Sequence, residues 1–327
     1  MSTQRPFRFA VQSYSAESPQ DWRDKARKVE ELGYSALHLA DHYLGDGPAL
    51  KATNHPHQRY AAIPLMTMAA EATTTLKIGA RVFCIDYRPL AILVKEAATM
   101  HWLSGGRIEF GLGAGWLAGE YEAFGIPMDR AGVRVSRLDE YVRAAKMLLS
   151  GEEVDIDGEY VSLHGFAASP VPETPMPIMI GGGAPRVLGI AGREADIVSL
   201  NFDNSSGKIG PAGVQSSTAE KIDEKVRWVR EGAESAGREL PEIEIAGYFT
   251  VVTPDEASGA ATAEQFGKMF GLEAQEIIDH PNCLIGTLDQ IAERLVERRE
   301  RYEISYVTVS DTNMEAFAPI VERLAGT

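Results

Sequence analysis

The sequence predicts an α/β fold, a (β/α)8 TIM barrel with loop and hairpin insertions. Three observations predict it. Short apolar runs alternate with amphipathic segments almost from end to end. The runs are continuously apolar, as in strands of a parallel sheet covered on its outer face. They also number eight, which favours closure into a barrel over an open Rossmann-like sheet, the structural alternative. Residues 1–327 read as one barrel domain, and an apolar content of 44% suits a sizeable core.

In chain order the strands are read at 7–13 (FRFAVQS), 36–41 (ALHLAD), 76–83 (LKIGARVF) and 107–112 (RIEFGL), then 177–181 (PIMIG), 195–201 (ADIVSLN), 243–249 (IEIAGYF) and 304–309 (ISYVTV). Amphipathic helices are read at 20–32, 61–73, 90–103, 133–149, 184–192, 218–237, 258–279 and 287–301. Two stretches interrupt the alternation. Residues 42–60, rich in Gly, His and Pro, form a loop long enough to suggest function. Residues 151–176 read as an insertion: Val154–Ile156 and Tyr160–Leu163 flank Asp157-Gly158 as a hairpin, and Pro170, Pro172, Pro175 and Pro177 then lead into the fifth strand. The loops 43–60, 201–217 and 250–285 are expected to shape the mouth of a pocket.

Charge and composition narrow the function. A formal charge of −15 argues against nucleic acid, whose phosphates need clustered Lys and Arg. Only Cys84 and Cys283 are present, so a disulfide framework is not expected. No apolar run resembles a signal peptide or membrane span, which makes the cytoplasm the expected compartment and a small molecule the expected partner. His55 and His57 lack a matched carboxylate or cysteine, so no metal site is expected.

In such a barrel, chemistry gathers where strands end. Gly181-Gly182-Gly183 follow the fifth strand, and Ala184-Pro185-Arg186 open the next helix. Free amides and a helix dipole there would bind an anion, though a bare strand-to-helix turn needs glycines too. Gly111-x-Gly113-x-Gly115 has the wrong spacing for a dinucleotide fingerprint and fits a wall for a flat cofactor better, with Trp116 beside it. His42, next to Asp41 at the end of the second strand, suits proton transfer near neutrality. Asn201 and Phe202 end the sixth strand, within reach of a substrate.

Several blocks resemble one family in order along nearly the whole chain. They are Leu39-Ala40-Asp41-His42, then Leu76 to Val82 with Arg88-Pro89, then Ser104-Gly105-Gly106-Arg107 leading to Gly111 through Trp116 and Glu120-Tyr121, and finally Pro177 to Gly183 with Ala195-Asp196. The chain resembles the luciferase-like monooxygenase superfamily, in its branch of coenzyme F420-dependent oxidoreductases. That resemblance implies a usually dimeric barrel with a flavin or deazaflavin ring at the strand C-termini. It implies a non-prolyl cis peptide after the third strand, by position Arg81-Val82. It makes Asp41, Arg81, Val82, Gly113, Gly115, Gly181, Gly182 and Gly183 cofactor contacts, and it matches His42 to the base of the sugar-phosphate dehydrogenase members. Those members carry a glutamate where this chain has Trp116, a departure that argues against a sugar phosphate. Hydride transfer between F420 and a small organic substrate is the reading implied. An FMN-dependent monooxygenase using O2 and a partner reductase, or a cofactor-binding protein without turnover, are the alternatives.

Overall fold

Eight parallel strands pair in chain order and close on themselves in the structure, a computed structural model that describes residues 4–327. They are Arg8–Gln12, Ala36–Leu39, Lys77–Ala80, Ile108–Gly113, Ile178–Gly182, Ile197–Leu200, Glu242–Gly247 and Ile304–Ser310. The ring shuts where the eighth strand pairs with the first, Arg8 opposite Tyr306, and where the third pairs with the fourth, Ile78 opposite Ile108. Nearly every strand residue is buried, which explains the unbroken apolar runs.

The helices obey local rules. Helix Pro19–Glu31 starts where the Ser18 hydroxyl accepts from the Asp21 amide, and it buries Trp22, Ala26 and Val29 along one stripe. Helix Leu288–Tyr302 begins with a Thr287/Gln290 capping box. Helices Leu90–Leu103, Ala131–Leu149, Pro185–Glu194 and Ala219–Ser235 lie where the sequence predicts them.

The barrel interior is unusually polar for its position, and its charges are paired. Arg8 donates to Glu109 at 2.7 Å and to Glu242 at 2.8 Å, while Tyr306 donates to Glu109 at 2.9 Å. Arg81 donates through Nε to both oxygens of Glu244, at 3.0 and 2.9 Å. Pairing of this kind is what makes a buried charge tolerable.

Several expectations need correction. The helix read at 258–279 is two helices, Glu256–Phe270 and Ala274–Asp279, because Gly271 turns left-handed with φ 70°. The loop read at 250–285 contains strands: Phe249–Val252 and Cys283–Gly286 pair in parallel. With the flanking helices they enclose a second apolar core around Val214, Ala263, Phe270, Ile277, Cys283 and Ile285. Helix Met314–Leu324 was not expected, and Pro319 lies inside it. The hairpin pairs Glu153–Asp157 with Ser162–Ala167 across a wider turn than Asp157-Gly158 suggests, because Glu140 accepts from the Tyr160 and Val161 amides.

Candidate active site

A cavity of about 380 Å³ opens at the carboxyl ends of the strands, a size suited to a small ligand or the head of a larger one. Every sequence-predicted site residue lines it: Asp41, His42, Arg81, Val82, Gly113, Gly115, Trp116 and Gly181 to Gly183, with Asn201 and Phe202. The loop 43–60 contributes His55 and Pro56, and the loop 201–217 contributes Asp203, Asn204, Ser205 and Ile209. The stretch 250–285 contributes nothing to the wall, because its apolar side chains face their own core.

The Arg81-Val82 peptide is cis, as the resemblance implies. Val82 then projects between glycines. A Cβ on Gly113 would meet Val82 Cγ2 at 2.5 Å, and one on Gly181 would meet Val82 Cγ1 at 3.2 Å. Gly115 (φ 73°) has Tyr121 Oη 1.8 Å from its hypothetical Cβ, and Gly183 has the Phe202 carbonyl at 2.3 Å. Protein atoms alone therefore demand these glycines, beyond any need of a ligand. Arg81 is anchored by Glu244, Tyr248 at 3.0 Å and Asn201 at 3.0 Å. Burial lowers its pKa, but Glu244 and Tyr248 more than offset that and keep it charged. The Asp41 carboxylate is gripped by Arg88 at 2.7 and 2.8 Å and by the Cys84 amide at 3.2 Å.

At one end of the cavity, helix Pro185–Glu194 begins with no side chain capping it, so its first amides keep no intrahelical partner. Helix Ala131–Leu149 is tied to this end by Arg186, which donates to the Gly132 carbonyl at 2.8 Å and to Ser136 at 2.6 Å. Arg134, near the start of that second helix, lines the cavity, and its Nε is buried with no hydrogen-bond partner. An uncapped helix start beside an orphaned guanidinium nitrogen fits a phosphate.

At the other end, His42 Nδ1 lies 2.6 Å from Oε2 of the fully buried Glu120. Tyr87 donates to the same oxygen at 2.7 Å, and the Tyr43 amide donates to Oε1 at 2.6 Å. Burial alone would raise Glu120, but these donors hold it below the usual carboxylate range. An ionised Glu120 accepts the His42 Nδ1 proton and turns Nε2 toward the cavity.

Sequence reasoning missed Glu120, His55 and Arg134 as site residues. Glu120 stood in the quoted Glu120-Tyr121 pair, and His55 stood in a loop flagged by its length; nothing in the sequence distinguished Arg134. Among the described residues no cluster of three or more His, Cys, Asp or Glu could hold a metal, and no helix is long and apolar enough to cross a membrane. Cys84 and Cys283 are buried free thiols, each pushed up to about 12 by burial.

A closed parallel barrel with a cis peptide after its third strand and a rim cavity between an uncapped helix start and a histidine–carboxylate pair defines a (β/α)8 barrel of the luciferase-like class. The chain belongs to the luciferase-like monooxygenase family, whose profile matches residues 2–270. It is 30% identical over 228 residues to an F420-dependent glucose-6-phosphate dehydrogenase of Amycolatopsis mediterranei, a match spanning 69% of this chain and 63% of that one. It is 26% identical over 244 residues to a 5,10-methylenetetrahydromethanopterin reductase of Methanolobus tindarius, spanning 73% and 64%. Among solved structures, an F420-dependent secondary alcohol dehydrogenase bound to an F420-acetone adduct shares the fold. It superposes with a TM-score of 0.75 at 18% identity, covering 98% of each chain.

Proposed function

We propose that this protein is an oxidoreductase that moves a hydride between coenzyme F420 and a small organic substrate. The observation that carries the reading is the two-ended cavity. Val82 and the glycines of the fourth and fifth strands make a smooth wall for a flat ring. The helix start at Pro185 and Arg134 would hold the phosphate-bearing tail. When bound, the deazaflavin supplies a two-electron hydride donor or acceptor. Everything else falls to the protein: walls that exclude water, a fixed orientation for both partners, and one proton at His42 Nε2. Relatives named F420-dependent glucose-6-phosphate dehydrogenases support the choice of cofactor.

The test is a pair of fluorescence titrations of the purified protein, one with F420 and one with FMN. F420 is expected to bind and FMN to bind at least tenfold more weakly; the reverse order would favour the monooxygenase alternative. His42→Ala is expected to reduce turnover by about 10²–10⁴-fold and to leave F420 affinity within twofold. Equal loss of both would make His42 structural.

A further inference from the structure

Lys225 lies in the outer layer of the barrel, in helix Ala219–Ser235, and takes no part in the cavity wall. It is 2% exposed, and its ammonium donates to the Asn201 carbonyl at 2.7 Å and to the Ser217 hydroxyl at 2.6 Å. Neither partner is charged. Burial pushes the ammonium down to about 8, with Asp203 opposing that fall, so it is still mostly a cation at pH 7. A cation buried on neutral partners costs stability that an apolar side chain of the same length would not.

Two parts of the cavity wall meet at Asn201. Its N–H donates to the Gly182 carbonyl at 2.8 Å, and its own carbonyl oxygen, the one Lys225 holds, would lie 2.5 Å from a Cβ on Gly183. Among the described residues Lys225 is the only hydrogen-bond donor to that oxygen. The side-chain Oδ1 accepts from Arg81 at 3.0 Å and from Tyr248 at 2.7 Å, while Nδ2 donates to the Ser199 carbonyl at 3.2 Å. The Asn201–Phe202 peptide thus abuts the glycines after the fifth strand, and the Asn201 side chain supports the arginine that precedes Val82. Asn201, Phe202, Arg81 and Tyr248 all line the cavity.

We propose that Lys225 is a positioning residue for the reaction: from outside the cavity its ammonium locks the Asn201–Phe202 peptide, and through that peptide it holds Phe202 and the support of Arg81 where the cofactor's ring is received. Without the ammonium the peptide can turn, and both side chains leave the wall while the barrel stays folded. The inference deepens the reading above and rests on it only for the identity of the ring.

The test begins with the protein free of cofactor. Protein grown with 4-fluorophenylalanine carries a ¹⁹F reporter at Phe202, assigned by its loss in Phe202→Leu. Lys225→Met keeps the length of the side chain and removes every donor. It is expected to move the Phe202 resonance and, in a separate titration, to weaken F420 binding by about tenfold or more. The urea midpoint should stay close to that of the wild type, because losing two hydrogen bonds and removing a buried charge act in opposite directions. Ser217→Ala removes only the other partner and should leave the Phe202 resonance in place, with F420 affinity within twofold. Lys225→Gln, uncharged and one atom shorter, carries the same test if Lys225→Met does not fold, and should move the same resonance. An unmoved Phe202 resonance in a folded Lys225 variant, an equal displacement in Ser217→Ala, or F420 affinity within twofold of wild type in Lys225→Met would overturn the proposal. A lowered urea midpoint with an undisturbed Phe202 would make Lys225 structural only. Failure of the wild type to bind F420 would overturn the cofactor reading instead, and the ¹⁹F spectra would still decide the role of Lys225.

Discussion

Glu120 illustrates how a single buried side chain can govern a site it does not enter. Its carboxylate collects protons from His42, Tyr43 and Tyr87 and thereby selects which nitrogen of His42 faces the cavity. Glu120→Gln preserves shape but replaces one acceptor oxygen with a donor, so either the Tyr43 amide loses its acceptor or His42 and Tyr87, which share the other oxygen, both do. Turnover is expected to fall by about 10²-fold while the Kd for F420 stays unchanged, and steady-state kinetics beside a binding titration would check both. The pairing was invisible in the sequence because it joins positions 78 apart, and a carboxylate in a short helix looks like any solvated charge. His42 was legible for the opposite reason. A strand end is where barrel chemistry gathers, and that position can be read one residue at a time.

At the scale of elements, the cavity end at the helix start of Pro185 is held in place by two helices whose backbones approach closely at glycines. A Cβ on Gly232, in helix Ala219–Ser235, would lie 2.2 Å from the Gly189 carbonyl of helix Pro185–Glu194, and one on Gly192 would lie 2.0 Å from the Val229 carbonyl. A Cβ on Gly189 meets nothing within 4 Å. Two substitutions of the same kind in one interface should therefore act in opposite directions. Gly232→Ala is expected to destabilise by about 1–3 kcal/mol, by pushing the helices apart. Gly189→Ala is expected to stabilise by about 0.5–1 kcal/mol, by removing helix-interior freedom. Urea denaturation measures both, and F420 affinity should fall only in the first. Helices and barrel strands were readable because each shows its pattern, a helical period or an unbroken apolar run, within a dozen residues. The pairing of Phe249–Val252 with Cys283–Gly286 was not, since two short segments reveal no partnership until the chain between them folds. The glycines do line the cavity, but their immediate reason, the close approach of Val82, Tyr121 and the Phe202 carbonyl, exists only in three dimensions.

For the whole molecule, the paired charges inside the barrel link stability to pH. Burial would raise the Glu109 carboxyl, but Arg8 and His38 outweigh it and hold it down to about 2, against an ordinary 4.5. A carboxyl lowered in the folded state contributes fully above about pH 4.5, and that contribution disappears as pH falls toward 2. Unfolding free energy should therefore drop across this window, and the drop should be shallower in Glu109→Gln when urea midpoints are compared at several pH values. The lobe built on Phe249–Val252 and Cys283–Gly286 has another consequence. It closes on its own apolar cluster, yet Phe249 and the adjoining Tyr248 form part of the cavity wall. Such a region can loosen as a cooperative unit while the closed ring of strands stays intact. Backbone amides in helices Glu256–Phe270 and Ala274–Asp279 should therefore exchange with deuterium faster than those of the barrel strands, and a bound guest touching Phe249 should slow them. Breathing of that lobe would let a molecule pass the rim without the barrel ever opening.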